Sequence, residues 1–327
     1  MFKRDILKKL SVWVQKKDRK PLILRGARQV GKTTAIHLFS KLFDQYLYLN
    51  LELKDERNIF ERDYPIEDLI LAIFFHKDQV KREGKILIFI DEIQSCPSAV
   101  SYLRFFYESF PDLYIVAAGS LLETLIDTLI DTHISFPVGR VEYLVMKPLN
   151  FKEFLNALNQ EASLDIINNK IPAPDFTHDK LMKLFHTYSI IGGMPEVIQK
   201  YAEQKDIIAL NSVFDSLIVS YLDDVDKYAR NYSMANVIRH AVSNAFYEAG
   251  NRIKFQGFGN SNYKSREMGE ALKVLEKAML IYLLYPSSSV KPPLKPNTKK
   301  SPRLQVLDTG MLNYFAGFQK DLFTRAR

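Results

Sequence analysis

The chain has 327 residues, of which 47% are hydrophobic and 25% are charged. This length suffices for two or three domains, and the composition is ordinary for a globular protein. The apolar runs fall short of the roughly 20 residues that cross a bilayer, and a single cysteine, Cys96, excludes an intrachain disulfide. We therefore expect a cytoplasmic protein without a membrane partner.

The net charge of +7 is unevenly distributed along the chain. Residues 231–327 carry 15 Lys and Arg against 6 Asp and Glu, a net charge of +9, whereas residues 1–230 carry 30 against 32, a net charge of −2. A basic C-terminal module on a near-neutral body predicts a polyanionic partner.

The first 150 residues alternate between helical and strand patterns. A helix is predicted over 1–17, and further helical spacing occurs over 32–43, 54–83 and 98–109. Strands are predicted over 21–25, 46–52, 86–90, 114–118 and 141–145. Such alternation predicts an α/β fold with a parallel sheet and right-handed crossovers.

The loop after the first strand has the phosphate-binding pattern G-x-x-x-x-G-K-T. Its glycines let backbone N–H groups turn inward, and the following helix adds a partial positive charge. Lys32 is expected to reach the β- and γ-phosphates, and the Thr33 hydroxyl to hold Mg²⁺. Arg28 either contacts phosphate or is solvated. The predicted nucleotide-binding residues are Gly26, Ala27, Arg28, Gln29, Val30, Gly31, Lys32, Thr33 and Thr34.

The apolar strand 86–90 ends in two acids, Asp91 and Glu92. Acids directly after a buried strand are costly unless they have a role there. Asp91 is expected beside Thr33, where it would hold the metal through water. Glu92 is placed to polarise an attacking water as a general base.

Two further residues are candidates for catalysis. Ser120 follows the strand 114–118, so it either binds the attacking water or the γ-phosphate, or caps the next helix together with Glu123. Arg140 precedes the strand 141–145, on the side opposite the strand tips. We expect it either to act on the nucleotide of a neighbouring copy, which requires a homo-oligomer, or to form a surface or interdomain salt bridge.

After Pro148 the pattern becomes helical as far as Tyr228, which predicts a lid domain. The basic module then has a helix over 234–249, a loop, a helix over 266–280 and two strands over 281–285 and 304–307, the order of a winged helix-turn-helix. Its cations suit phosphate contacts with duplex DNA, although winged helices also bind proteins and lysines also keep hairpins soluble. The candidate nucleic-acid contacts are Lys264, Arg266, Lys273, Lys295, Lys299, Lys300 and Arg303.

The combination of "LRGARQVGKTT", "FIDEIQ", "AAGS", "FPVGRVEYLVMKPLNFKEF", "GGMPE" and "LDTGMLNY" resembles a bacterial and archaeal family of AAA+ ATPases. Its members pair a P-loop domain with a C-terminal domain of unknown function. The resemblance implies an additional-strand P-loop sheet, a helical lid and a winged helix. It also implies that Gly26–Thr33 bind ATP, and that Asp91 and Glu92 act on Mg²⁺ and water. Family members usually continue past "DTGMLNY" into a nuclease-like domain. This sequence stops at Arg327, either truncated before that domain or without it, so nuclease activity is not part of the expected function.

These observations predict three domains: an ATPase domain over 1–148, a lid over 149–230 and a winged helix over 231–327. The expected function is Mg²⁺-dependent ATP hydrolysis that moves the basic module, on DNA in one version of the hypothesis. The alternative is a nucleotide-gated DNA-binding or defence-type interaction protein with little turnover, in which ATP acts as a conformational ligand.

Overall fold

The computed structural model describes residues 2–120, 137, 139–170, 172, 174–225 and 229–318. The chain divides into two compact units, one formed by Arg4–Lys147 and the other by the residues from Pro148 onward together with the first three. No helix in these described ranges is both long and apolar enough to span a membrane.

The first unit is built on a parallel sheet. Its described strands lie in the spatial order β2-β3-β4-β1-β5, and every neighbouring pair is parallel. Strand β3, which ends in Asp91, therefore lies between two other strands. The resemblance to AAA+ proteins implied this arrangement, that of an additional-strand P-loop fold. The strands are β1 (Leu22–Arg25), β2 (Gln45–Asn50), β3 (Ile86–Asp91), β4 (Tyr114–Gly119) and β5 (Glu142–Val145).

Burial along the strands follows their place in the sheet. Every residue of the central strands β3 and β4 is buried, because helices cover both faces of a parallel sheet. The edge strand β2 instead alternates buried and half-buried residues. The helices of this unit are α1 (Asp5–Val14), α2 (Lys32–Phe39), α3 (Lys54–Glu61), α4 (Ile66–His76) and α5 (Pro97–Ser109).

The strand register brings three candidate segments to one edge of the sheet. Arg25, which precedes the glycine loop, pairs with Gly119, which precedes Ser120. Asn50 pairs with Asp91 on the neighbouring strand. The carboxyl ends of the parallel strands thus meet at one edge, where open α/β sheets bind their ligands.

The second unit is mainly helical and contains a two-stranded antiparallel hairpin near its C-terminal end. Strand β6 (Ile281–Leu284) pairs with β7 (Arg303–Val306), with Ile281 opposite Val306. The helices are α6 (Phe151–Ala157), α7 (Glu161–Asn169), α8 (Asp175–Ile191), α9 (Pro195–Gln204), α10 (Asn211–Asp223), α11 (Tyr232–Ala245), α12 (Ser265–Lys277) and α13 (Thr309–Phe315).

Two sequence motifs that lie far apart along the chain meet inside this unit. The carboxylate of Asp308 caps α13 by accepting from Met311 N–H at 3.1 Å, and it also accepts from Gly193 N–H at 2.6 Å. Side chains at the glycines would not fit, since a Cβ on Gly193 would lie 2.1 Å from Leu149 O and one on Gly310 2.0 Å from Ile191 O. Asp308 therefore joins the loop between α8 and α9 to the N-terminus of α13.

We predict that Asp308→Ala destabilises the second unit by about 1.5–5 kcal/mol. Losing a helix cap costs roughly 0.5–2 kcal/mol, and a buried N–H without an acceptor costs about 1–3 kcal/mol more. Urea unfolding followed by circular dichroism measures the change. The matched control is Asp206→Ala, which removes an exposed aspartate that accepts from Ile208 N–H. Equal unfolding midpoints for the two variants would contradict this role of Asp308.

Candidate nucleotide-binding site

The glycine loop joins β1 to α2 and has the backbone conformation that its sequence predicts. Gly31 caps α2 with φ = 91°, a left-handed conformation that favours glycine, and Gln29 is also left-handed with φ = 61°. A Cβ on Gly26 would lie 2.4 Å from Met146 O, so the loop backbone passes close to the end of β5. Local geometry thus favours glycine at both glycine positions of the loop pattern.

Lys32 projects back into this loop. Its ammonium donates to Gly26 O at 2.9 Å and to Ala27 O at 3.0 Å, and the residue is 7% exposed. Burial lowers the pKa of Lys32, whereas the charges of Glu92 and Asp91 raise it. The loop therefore holds a buried cation that faces two acids of the neighbouring motif.

Thr33 and Asp91 lie in direct contact across the site. The Thr33 hydroxyl donates to the Asp91 carboxylate at 2.7 Å, and Asp91 is buried. The Tyr48 hydroxyl approaches the same carboxylate oxygen at 3.5 Å. Burial raises the pKa of Asp91, while the hydrogen bond from Thr33 lowers it. A hydroxyl and a carboxylate are the hard oxygen ligands that suit Mg²⁺.

Glu92 follows in a left-handed conformation with φ = 52°, and a 3₁₀ turn (Ile93–Ser95) begins after it. The Gln94 side-chain amide donates to the Glu92 carboxylate. Burial raises the pKa of Glu92, and the hydrogen bond from Gln94 and the charge of Lys32 lower it. Non-glycine residues in this backbone region are uncommon and concentrate at functional sites.

Sequence reasoning missed one residue that supports the loop. Arg4, just before α1, is 9% exposed, and its guanidinium donates to Val30 O at 3.0 Å and to Lys147 O at 2.6 Å. It therefore ties the end of the phosphate-binding loop to the segment after β5. Its separation of 26 and 143 residues from these partners leaves no local sequence signal.

The remaining predicted residues of the first unit are placed as follows. Ser120 is buried at the tip of β4, and its proposed capping partner Glu123 lies outside the described residues. Thr34 is exposed on the first turn of α2. Arg140 lies before β5, away from the strand tips, and its guanidinium contacts Glu108 at 3.0 Å; Arg104 contacts the same carboxylate oxygen.

The predicted cations of the basic module are all exposed. None of their charged groups forms an ion pair with a carboxylate of the described part of the chain. A cavity of about 330 Å³ connects the first residue of α12 with the hairpin, and Lys254, Ser265, Lys299 and Lys300 line it. The exposed cations are Lys264, Arg266, Lys273, Lys295, Lys299, Lys300 and Arg303.

Comparison with known proteins identifies the class. Residues 18–155 match the family described as an AAA domain, and residues 182–322 match a domain of unknown function. Residues 18–155 therefore form an AAA domain of the P-loop AAA+ class, and a C-terminal domain of unknown function follows it.

Two individual proteins are similar over most of the chain. An uncharacterized protein of Haemophilus influenzae is 24% identical over 272 residues, which are 80% of this chain and 61% of that protein, so the chain spans about three-fifths of its relative. The Walker-type ATPase paby2304 of Pyrococcus abyssi shares the fold with a TM-score of 0.60 and 14% identity, over 97% of this chain and 96% of that one.

We predict that Thr33→Val weakens Mg²⁺-dependent nucleotide binding. Valine keeps the branched shape but removes the hydroxyl that contacts Asp91, so the affinity gained by adding Mg²⁺ should fall about 10–100-fold. Titration of ATP with Mg²⁺ and with EDTA measures this gain. The control is Ser40→Ala, which removes a hydroxyl just beyond the far end of α2. If Mg²⁺ raises the ATP affinity of Thr33→Val as much as that of the wild type, Thr33 is not a ligand of the metal.

Proposed function

We propose that this protein binds ATP with Mg²⁺ and hydrolyses it. The observation that carries the proposal is the contact between the Thr33 hydroxyl and the Asp91 carboxylate beside the buried Lys32. The start of helix α2 and the end of strand β3 thus supply a cation for the phosphates and an oxygen pair for the metal. Bound magnesium would neutralise phosphate charge in this place.

The roles of the protein groups follow from their charge and position. The backbone of Gly26–Thr34 and the Lys32 ammonium bind the phosphates, while Thr33 and Asp91 hold the metal. Glu92 accepts a proton from the attacking water as a general base. Ser120 follows the neighbouring strand β4, and we assign it a contact with the γ-phosphate or the water.

We predict that Glu92→Gln binds ATP but hydrolyses it about 10²–10⁴-fold more slowly, the usual loss for a general base. Glutamine keeps the size of the side chain and removes its basicity. Phosphate release measures turnover, and equilibrium titration measures binding. The control Glu61→Gln changes an exposed carboxylate that pairs with Arg57. Wild-type turnover in Glu92→Gln would show that Glu92 is not the base.

Arg140 supports a second part of the proposal, in which copies of the chain assemble. Because Arg140 lies away from its own strand tips and is about half exposed, it can reach the nucleotide of a neighbouring copy more readily than its own. Arg140 and Arg104 both form an ion pair with Glu108. If the ion pair were the only role of Arg140, replacing either arginine should have a similar effect.

We therefore expect Arg140→Ala to lose turnover and Arg104→Ala to retain it. An arginine supplied by a neighbour accounts for about 10³–10⁵ in rate in known cases. Turnover per chain should rise with protein concentration, and a mixture of Arg140→Ala with Lys32→Ala should recover part of it. Equal effects of the two arginine variants, with no recovery in the mixture, would leave Arg140 as a surface ion pair.

We also propose that the basic module binds duplex DNA and is moved by the nucleotide cycle. Its helices α11 and α12 and its hairpin follow winged-helix order, and the exposed cations on α12 and the hairpin suit phosphate contacts. The Asp308 junction makes the module continuous with the lid helices, so a movement of the lid would carry the hairpin with it. Such movement requires that the two nucleotide states differ in their contacts with the lid.

We predict that the logarithm of DNA affinity falls linearly with that of salt concentration, with a slope of about −0.9 per phosphate contact. Changing Lys295, Lys299, Lys300 and Arg303 to Gln should weaken binding to all sequences and flatten this slope. Fluorescence anisotropy with a labelled duplex measures both. The matched control makes the same change to Gln at four cations of the predicted lid, Lys152, Lys180, Lys183 and Lys200. Equal losses in both variants, or no binding at low salt, would contradict the assignment.

A further inference from the structure

The side-chain amide of Gln94, beside the candidate base, has one buried polar atom without a partner. Gln94 donates its Nε2 hydrogen to the Glu92 carboxylate, but its Oε1 is buried and accepts no hydrogen bond. Among the described residues, only three buried side-chain polar atoms lack a partner, and the other two belong to Arg19 and Ser261. A buried acceptor left unsatisfied destabilises a protein and calls for an explanation.

The orientation of the amide follows from its neighbour. Turning the Gln94 amide by 180° would place its oxygen against the Glu92 carboxylate, and two acceptors repel each other. The donor nitrogen therefore faces Glu92. The acceptor oxygen is the other polar atom of the same amide group, so it lies close to that carboxylate without contacting it. The turn is fixed in place, because Ile93 and Cys96 on either side are buried.

The backbone makes this arrangement possible. With Glu92 at φ = 52°, the chain leaves β3 in a left-handed turn and enters the 3₁₀ turn that contains Gln94. The side chain two residues later can then return to the carboxylate. Uncommon backbone conformations that hold a polar contact in place are concentrated at functional sites.

We propose that Gln94 is a water-positioning residue: its Oε1 accepts a hydrogen bond from the water that attacks the γ-phosphate, while its Nε2 orients Glu92. This inference rests on the proposed ATP hydrolysis and adds a residue to it. The attacking water has two hydrogens, and the site supplies two acceptors for them, the Glu92 carboxylate and the Gln94 oxygen.

The step balances with these groups. The water oxygen forms a bond to the γ-phosphorus as the bond from that phosphorus to the β–γ bridging oxygen breaks, and ADP leaves with the electron pair. One water proton passes to the Glu92 carboxylate. The other stays on the oxygen, hydrogen-bonded to Gln94, and becomes part of inorganic phosphate. Orienting a water in line with the leaving group is a recognised role for glutamine in phosphoryl transfer.

The test compares ground-state and transition-state binding. In Gln94→Met, which has a similar size and no amide, affinity for a non-hydrolysable ATP analogue should stay within about twofold, since Gln94 contacts water and not phosphate. Affinity for ADP with aluminium fluoride, which mimics the phosphoryl group in line with its water, should fall about 10–100-fold, and kcat should fall with it.

The matched control is Gln45→Met. Gln45 is also buried and hydrogen-bonded, to Gln79 and Val80, but it lies at the opposite end of β2 from the strand tips. It should lose stability without losing kcat or aluminium fluoride binding. If Gln94→Met does not fold, Gln94→Glu replaces it, because it keeps an acceptor but loses the donor to Glu92, so kcat should still fall.

Three results would overturn the inference. Unchanged kcat and aluminium fluoride affinity in the Gln94 variants would leave the amide structural, and a higher kcat would mean that it restrains Glu92. Turnover of the wild type that does not exceed that of Lys32→Ala would remove the proposed hydrolysis itself. That last comparison uses no Gln94 variant, so the two failures are distinguishable.

Discussion

The hydrogen bond between the Thr33 hydroxyl and the Asp91 carboxylate is the contact on which the account of this protein depends. The two residues are 58 positions apart. Thr33 lies on α2, which follows β1, and Asp91 ends β3; these two strands are not neighbours, because β4 lies between them. Only a parallel arrangement brings both carboxyl ends to the same edge. The sheet order, the buried apolar strands and the helices that cover them together fix the distance between the Thr33 hydroxyl and the Asp91 carboxylate.

Burying charge at this edge has a cost that the site partly offsets internally. Lys32, Asp91 and Glu92 form a cluster in which burial opposes the charged form of each group and the opposite charges favour it. A single charge left in such a place would be expensive. Here the loop carbonyls, the Thr33 hydroxyl and the Gln94 amide also contact the three groups. An arrangement of this kind is better explained by ligand chemistry than by stability.

Sequence reasoning reached the sheet and its loop because their signals are local. The apolar runs of β3 and β4, the glycine spacing before Lys32 and the acids after Ile90 lie within a few residues of each other. Contacts between distant segments gave no such signal. The bond between Asp308 and Gly193 spans 115 residues, and Arg4 reaches Lys147 across 143. The motifs at both ends of the first contact were visible in the sequence, but their meeting was not.

Steady-state release of inorganic phosphate from ATP, compared between the wild type and Lys32→Ala in the presence of Mg²⁺, tests the central claim most directly. Lys32 lies in the loop and not in the apolar core, so the variant should keep a native circular dichroism spectrum. We expect the wild type to release phosphate from ATP. We expect Mg²⁺ chelation to abolish this turnover, and Lys32→Ala to lack it. Equal phosphate release by the folded variant and the wild type would contradict it.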